Sequence, residues 1–422
     1  MKLKLITILA TGSALGLPVL AQAQTPDMFA RDRNVSVKER PHPEYEALGV
    51  HWGTFYAYPR VQFDLSHESN VFATETNEQS DTLFRVAPSV EVESDWTRHS
   101  VTAFARALKT WSSNYGNENY TTWAVGTAGR LDVRRTTNIG AGADYAREIE
   151  PRTASNTPQS LFEPIRYDRA QAYVTASHAF NRLRISGRGD VRSFDYQNGT
   201  LLSGLPVIQT DRNQTTYEAT ARADYAISPA TAVYARVAFN DRAYDEAGTV
   251  LTPKRDSSGV NALVGVDFEL SNLVRGEAGV GYLNQSFDND IYGSISGLST
   301  RVRLEYFPTQ LLTIGMTADR SVGDSGAVGS AGYMSSAVQF TADYEMRRNV
   351  IIEGRVGYIN EDYDVIDRQN DRWTAGIRGT YLINRRLGVT AGYEYESRRS
   401  SGIDRINDFN TSRFMVSLVA QY

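Results

Sequence analysis

The 422-residue sequence has no cysteine, a formal net charge of −5 and a mean hydropathy of −0.40. These values exclude a disulfide framework and thiolate metal sites, and they argue against nucleic acid as a partner. No segment after the N-terminus approaches the roughly 18 consecutive apolar residues that a helical span needs, so helical membrane passage is excluded. A membrane β-barrel remains open, because its strands turn only alternate residues to lipid and their average reads as soluble.

At the start of the chain Lys2 and Lys4 precede an apolar run from Leu5 to Leu20 that closes on Ala21-Gln22-Ala23. Residues 1–23 are therefore expected to be a cleaved signal peptide, since Thr7, Thr11, Gly12, Ser13 and Pro18 interrupt the run and a small-x-small site follows it. Roughly 400 residues remain, enough for two domains or one large barrel. Residues 24–50 carry Pro26, Pro41 and Pro43 and do not alternate, which predicts a periplasmic extension, either a plug or a docking arm.

Residues 51–422 alternate apolar and polar side chains in short runs, the period of a strand with one buried face. Between Ala219 and Ile227, the residues Ala219, Ala221, Ala223, Tyr225 and Ile227 share one face, and Thr220, Arg222 and Asp224 share the other. An aromatic residue just before a short turn recurs at Tyr225, Phe268, Tyr306, Tyr344 and Tyr381, at intervals of 43, 38, 38 and 37 residues. A second echo sets Val280-Gly-Tyr-Leu-Asn against Val356-Gly-Tyr-Ile-Asn. A propeller also repeats near forty residues, but its blade holds four short strands, whereas each unit here has two long strands, a tight turn and a longer polar loop.

Tight turns are read near Asp95, Arg135, Asn181, Pro229, Asn272, Thr309, Arg348 and Arg385. Longer loops are read near Thr76, Asn117, Asn156, Gly204, Gly248, Asn289, Gly326, Gln369 and Ile406. Seventeen connections predict an all-β fold, a single closed antiparallel transmembrane β-barrel of about 18 strands with short periplasmic turns and longer extracellular loops. The expected location is the outer membrane of a Gram-negative cell. Phe414, Val416, Leu418, Ala420 and Tyr422 alternate to the end of the chain, so Phe414 and Tyr422 are candidates for the assembly signal that the barrel assembly machinery reads.

If the apolar set faces lipid, the other set lines the lumen, because a one-residue shift reverses every side chain. The lumen candidates are Arg130, Arg184, Arg188, Asp190, Arg222, Asp224, Arg236, Arg301, Arg303, Glu305, Glu353, Arg355, Arg378 and Glu394, with both signs in near balance. Such charges belong in water, since an Arg at mid-depth on the lipid face costs ~2–4 kcal/mol. Tyr225, Phe268, Tyr306, Tyr344 and Tyr381 fit the periplasmic aromatic girdle. Eighteen strands ~4.8 Å apart and tilted ~40° give a backbone diameter of roughly 35 Å and, unplugged, a bore on the order of 15 Å.

The opening of the mature chain is its most distinctive part. Arg40-Pro-His-Pro-Glu-Tyr-Glu-Ala-Leu-Gly49, Trp52-Gly-Thr-Phe55, Ser69-Asn-Val-Phe-Ala-Thr74, Ser80-Asp81 and Ser94-Asp-Trp-Thr-Arg-His99 together resemble the Putative beta-barrel porin 2 family. The likeness extends more loosely through the repeats. It implies an outer-membrane channel that serves as a conduit for exopolysaccharide or capsule polymer, or alternatively a general or sugar-uptake porin. A periplasmic polysaccharide-export protein, outer-membrane lipid and lipopolysaccharide are the partners it implies, and polysaccharide or small solutes the cargo.

Chemistry-bearing constellations are sparse. His42, His51, His67, His99 and His178 fall into no metal-ligand or Ser/His/Asp spacing, which predicts no cofactor, no metal and no catalytic residue, and ranks an outer-membrane lipid-modifying enzyme last. His178 is read as an interfacial residue. Paired carboxylates such as Asp267 and Glu269 are read as solvated or Arg-paired, and Gly187, Gly189, Gly279 and Gly281 as places where a curved wall bends or packs closely.

Overall fold

A strand in lipid can hide its backbone only by pairing on both edges, so an alternating chain of this length is driven toward closure. The computed structural model describes residues 35–422, apart from 159, 249–252 and 272; the expected signal peptide lies outside them. In chain order the wall is β1 (Phe55–Glu68), β2 (Asp81–Ser94), β3 (Ser100–Ser112), β4 (Tyr120–Arg134), β5 (Thr137–Ile149) and β6 (Arg166–Ala179). Next come β7 (Leu183–Tyr196), β8 (Gln214–Ser228), β9 (Thr231–Tyr244), β10 (Ser257–Leu270), β11 (Val274–Phe287) and β12 (Ser294–Thr309). The last six are β13 (Leu312–Asp324), β14 (Gly332–Arg347), β15 (Val350–Tyr363), β16 (Gln369–Leu382), β17 (Leu387–Ser401) and β18 (Phe409–Gln421).

Every strand pairs antiparallel with its sequence neighbour, and β18 closes on β1 from Arg60↔Gln421 to Glu68↔Arg413. The result is the closed antiparallel barrel of eighteen strands that alternation predicts. A short arm, Val50–Trp52, folds back on the start of β1. Each expected tight turn has a strand end within two residues, and the expected loops fall between wall strands except at Gln369, which is the first residue of β16; Thr309 is the last residue of β12.

The faces follow the pleat. On β18, Phe414, Val416 and Leu418 are 55%, 40% and 43% exposed on the outside, whereas Met415 and Ser417 between them are 4% and 2% exposed. Gly279 and Gly281 mark a close approach within the wall. A Cβ at Gly281 would lie 1.8 Å from the Ala262 carbonyl oxygen, and one at Gly279 would lie 2.2 Å from the Tyr234 hydroxyl. Gly187 and Gly189 differ, since a Cβ there meets only ordinary contacts at 3.9 and 3.7 Å.

One seam departs from regularity. The β12–β13 ladder runs only as far as Arg301↔Asp319, while β13 and β14 stay paired to Asp324↔Gly332. Above the seam the β13–β14 hairpin leans inward, and Val322 packs on a buried apolar cluster of Leu283, Phe287, Tyr292, Ile295, Ala331 and Met334. The tip reaches across the lumen, where Asp324 accepts hydrogen bonds from Gln214 on β8 at 3.1 Å and from Arg242 on β9.

The closing strand generates a prediction. Replacing Phe414 and Tyr422 with Asp places charge on the lipid face of β18 and should lower the yield of heat-modifiable, membrane-inserted barrel at least severalfold, read by gel shift of unboiled samples. Unchanged yield would remove the assembly role from these two residues.

Candidate functional site

Because inner-face residues come from alternate positions, the ladders that close the wall also decide which charges meet. Arg222 stands among carboxylates, 2.8 Å from Asp224, 2.8 Å from Glu277 and 3.8 Å from Asp267, with its guanidinium 4.0 Å over the Tyr234 ring. Asp224 also meets Arg184 at 3.4 Å. Elsewhere on the inner face Arg130 binds Asp132 at 2.8 Å, Arg188 binds Asp190, and Arg236 faces Glu218 at 3.7 Å. Arg355 and Arg378 share Glu394, Glu305 holds Arg275, and Glu353 meets Lys38 at 3.5 Å. Among the described residues, Arg301 and Arg303 make no ion pair. The fourteen lumen candidates thus fall on one face but form several separate networks rather than one cluster.

On the outer face Tyr225, Tyr306, Tyr344 and Tyr381 are 49%, 45%, 42% and 50% exposed, and Phe268 shares that face half-buried. His178 also sits outside, its Nδ1 2.7 Å from the Thr137 hydroxyl and its ring 4.3 Å from Phe180. Among the described residues no group of three or more His, Cys, Asp or Glu side chains could hold a metal ion.

The lumen is not an open tube. The 150–165 loop leaves β5, crosses the bore and fastens to the opposite wall. Arg368 and Arg372 donate to the Ser155 and Thr153 carbonyls at 2.8 and 3.0 Å, and Arg398 donates to Thr153 and Ala154. The Ser155 hydroxyl donates to Glu361 on β15. The Asn156 amide meets the tip of the inward hairpin, donating to Asp324 O at 2.9 Å and accepting from Gly326 N at 3.1 Å. The near end is held by Arg152 on Glu118 and Arg212 on Glu150. Sequence reasoning placed a loop at Asn156 but gave no sign that it turns inward, and alternation along the strands does not single out the arginines that receive it, 368, 372 and 398.

At the mouth ringed by the short turns, residues 35–46 sit against the other end of the bore. Val37 is 1% exposed and its N–H donates to Thr313 at 3.0 Å. Lys38 reaches Asp343 at 3.0 Å, Arg275 reaches Glu39 at 2.7 Å, and Arg40 binds Glu345. Along the rim Arg385 donates to the Pro43 carbonyl at 3.1 Å and Gln421 to Tyr45 at 3.3 Å. Burial opposes the Lys38 charge, but the Glu353 and Asp343 carboxylates outweigh it and hold the ammonium above its ordinary value. Burial likewise opposes ionisation of Glu39, and the Arg275 guanidinium outweighs it, holding the carboxyl below its ordinary value.

The signs set the pH window. A raised lysine contributes to the seat at all pH below its unfolded value of about 10.4 and is lost above; a lowered glutamate contributes above about 4.3 and is lost as pH falls through its folded value. The seat is therefore intact across neutral pH and loosens in acid through Glu39. A spin label at the exposed Glu44→Cys, in this otherwise cysteine-free chain, should be immobile at pH 7, mobile once the pH has fallen through the lowered Glu39 value, and mobile at pH 7 in K38Q/R40Q. A label equally mobile in all three would show that these contacts do not hold the segment.

The profile of a family described as Putative beta-barrel porin 2 matches residues 42–422. No curated protein matches the sequence. Among solved structures, the ferric enterobactin receptor PfeA of Pseudomonas aeruginosa is 9% identical, with 87% of this chain and 80% of that chain covered and a TM-score of 0.45. Outer membrane protein opdK of Pseudomonas aeruginosa is 12% identical, with 87% and 99% covered and a TM-score of 0.43. At these identities nothing of their cargo transfers to this chain.

Proposed function

The chain belongs to the Putative beta-barrel porin 2 family, and from that membership and the shape of its lumen we propose that it is a constricted diffusion channel for small hydrophilic solutes in the bacterial outer membrane. The observation that carries this reading is the 150–165 loop, anchored across the bore on β15, β16 and β17. Wall dimensions alone would leave a bore on the order of 15 Å, wide enough for one hydrated polymer strand. With the loop and the inward hairpin across it, only smaller solutes pass, along walls whose charges of both signs hold water. Lipid and lipopolysaccharide contact the outer aromatics, and the barrel assembly machinery inserts the wall.

A second reading, export of exopolysaccharide or capsule polymer, draws support from how the obstructing segments are fastened. The 35–46 segment and the 150–165 loop are attached to the far wall through side-chain contacts and not through strand ladders. Each such charge-assisted hydrogen bond contributes ~1.5–3 kcal/mol, so a periplasmic polysaccharide-export protein binding the mouth could displace the extension and clear the bore.

The two readings part in one comparison. Ser155→Cys with Glu361→Cys, oxidised, locks the loop to β15. In liposome swelling, wild-type and locked protein should admit mono- and disaccharides alike, and deletion of residues 153–157 should raise single-channel conductance severalfold. A gene-deletion strain should keep its surface polysaccharide. Polymer retained behind the outer membrane in both the deletion strain and a strain carrying the locked protein would replace the small-solute reading with export.

A further inference from the structure

Below the crossing loop, the inner wall of β6 and β7 carries aromatic rings together with an arginine that ion pairing has not consumed. Tyr167 and Tyr196 lie opposite each other in the ladder, stacked with ring centroids 5.1 Å apart. Phe194 extends the same surface, 6.2 Å from Tyr167 and 6.5 Å from Tyr196. Further down, Arg188 lies 4.2 Å over the Tyr173 ring. Between these two aromatic positions stands Arg192, opposite Gln171 on β6 and Thr216 on β8.

Arg192 differs from the other arginines of β7. Arg184 is matched by Asp224 and Arg188 by Asp190. Among the described residues Arg192 has no carboxylate within ion-pair distance, and its Nε is buried without a hydrogen-bond partner. Arg106 on β3 is likewise without an ion pair among the described residues and leans on Phe104 at 5.5 Å. Arg301 and Arg303 are also without an ion pair among the described residues, but Arg192 has in addition a buried, unpartnered Nε, and desolvating a guanidinium without an anion is costly unless something else supplies one. A guanidinium binds carboxylate through two parallel hydrogen bonds, and a flat aromatic surface accepts the C–H face of a pyranose ring.

Tyr167 and Tyr196 stack on each other and the Arg212 guanidinium covers Tyr196 at 4.1 Å, which leaves Phe194 as the aromatic face beside Arg192. We propose that this patch is a binding station for an anionic saccharide, with Phe194 taking the ring face, Arg192 the carboxylate, and Gln171 a hydroxyl. The inference rests on the channel reading above and deepens it by naming a cargo class. The same chemistry serves a free sugar acid or one residue of an acidic polysaccharide.

The test is calorimetry on the purified full-length barrel in detergent, with glucuronate, glucose and glucuronate oligomers as titrants. Glucuronate should bind at least tenfold tighter than glucose. That preference should vanish in Arg192→Gln and in Gln171→Glu, which sets a carboxylate of the chain opposite Arg192, and should be partly kept in Arg192→Lys. Phe194→Leu should weaken both sugars. Heat-modifiability confirms that each variant is folded, and the Gln171 variant leaves Arg192 itself in place. Affinity rising with oligomer length assigns the station to a polymer, and affinity flat with length assigns it to a free sugar acid. Equal binding of glucose and glucuronate, or a preference that survives both Arg192→Gln and Gln171→Glu, overturns the proposal. Planar-bilayer recordings separate it from the channel reading: binding without conductance sinks the channel alone, and conductance without binding sinks the station alone.

Discussion

Closure of the backbone ladder between β1 and β18 is the constraint on which everything else depends. In a hydrocarbon layer an unpaired N–H or C=O costs several kcal/mol with no water to relieve it, so eighteen strands are stable only as a ring. Once the ring exists, the pleat assigns each residue to lipid or to the lumen, and the register fixes its cross-strand neighbours. Arg413 on β18, for example, meets Glu68 on β1 at 2.8 Å because closure brings the last strand beside the first.

The ring also explains the choice of cation. Only five lysines occur in the whole sequence, at 2, 4, 38, 109 and 254, so almost every positive charge on the inner face is arginine. A guanidinium can satisfy a carboxylate with its edge while covering an aromatic ring with its face, and the lumen uses both at once. Arg222 binds Asp224 and Glu277 over Tyr234, and Arg212 binds Glu150 over Tyr196. An ammonium is a point charge and could not fill both roles. The interior therefore gains rigidity from polar contacts, since its one buried apolar cluster among the described residues sits under the inward hairpin.

The wall was legible in the sequence because its signal is local and periodic. Alternation gives the faces, short polar turns give the hairpins, and the echo between residues 280–284 and 356–360 arises because both stretches occupy the same level of the wall, on β11 and β15. What fills the wall was not legible. The path of the 150–165 loop depends on contacts between residues more than two hundred positions apart, such as Arg372 with Thr153, and nothing in the composition of the loop separates an inward turn from an outward one. The extension was recognised as non-strand from its prolines, yet the seating of Lys38 between Asp343 and Glu353 required the folded register of β14 and β15. Alternation puts Arg192 on the same face as Arg188 and Asp190, but its lack of a carboxylate depends on Gln171 and Thr216 being its neighbours.

The seam between β12 and β13 has a consequence for depth in the bilayer. Above the Arg301↔Asp319 rung the edge of β12 no longer has β13 as its partner, and such an edge is tolerated only where water or protein covers it. The outer face changes character at the same level. Val302, Leu304 and Tyr306 lie below the rung, whereas Thr300, Ser296 and Ser294 lie above it, interrupted only by Leu298. Both features place the upper limit of the acyl chains near this rung, roughly 20 Å above the periplasmic turn for eight residues of a strand tilted ~40°. On this flank the barrel spans a thinner apolar layer than the typical ~25 Å band, so the bilayer must pinch here or the cylinder must lean.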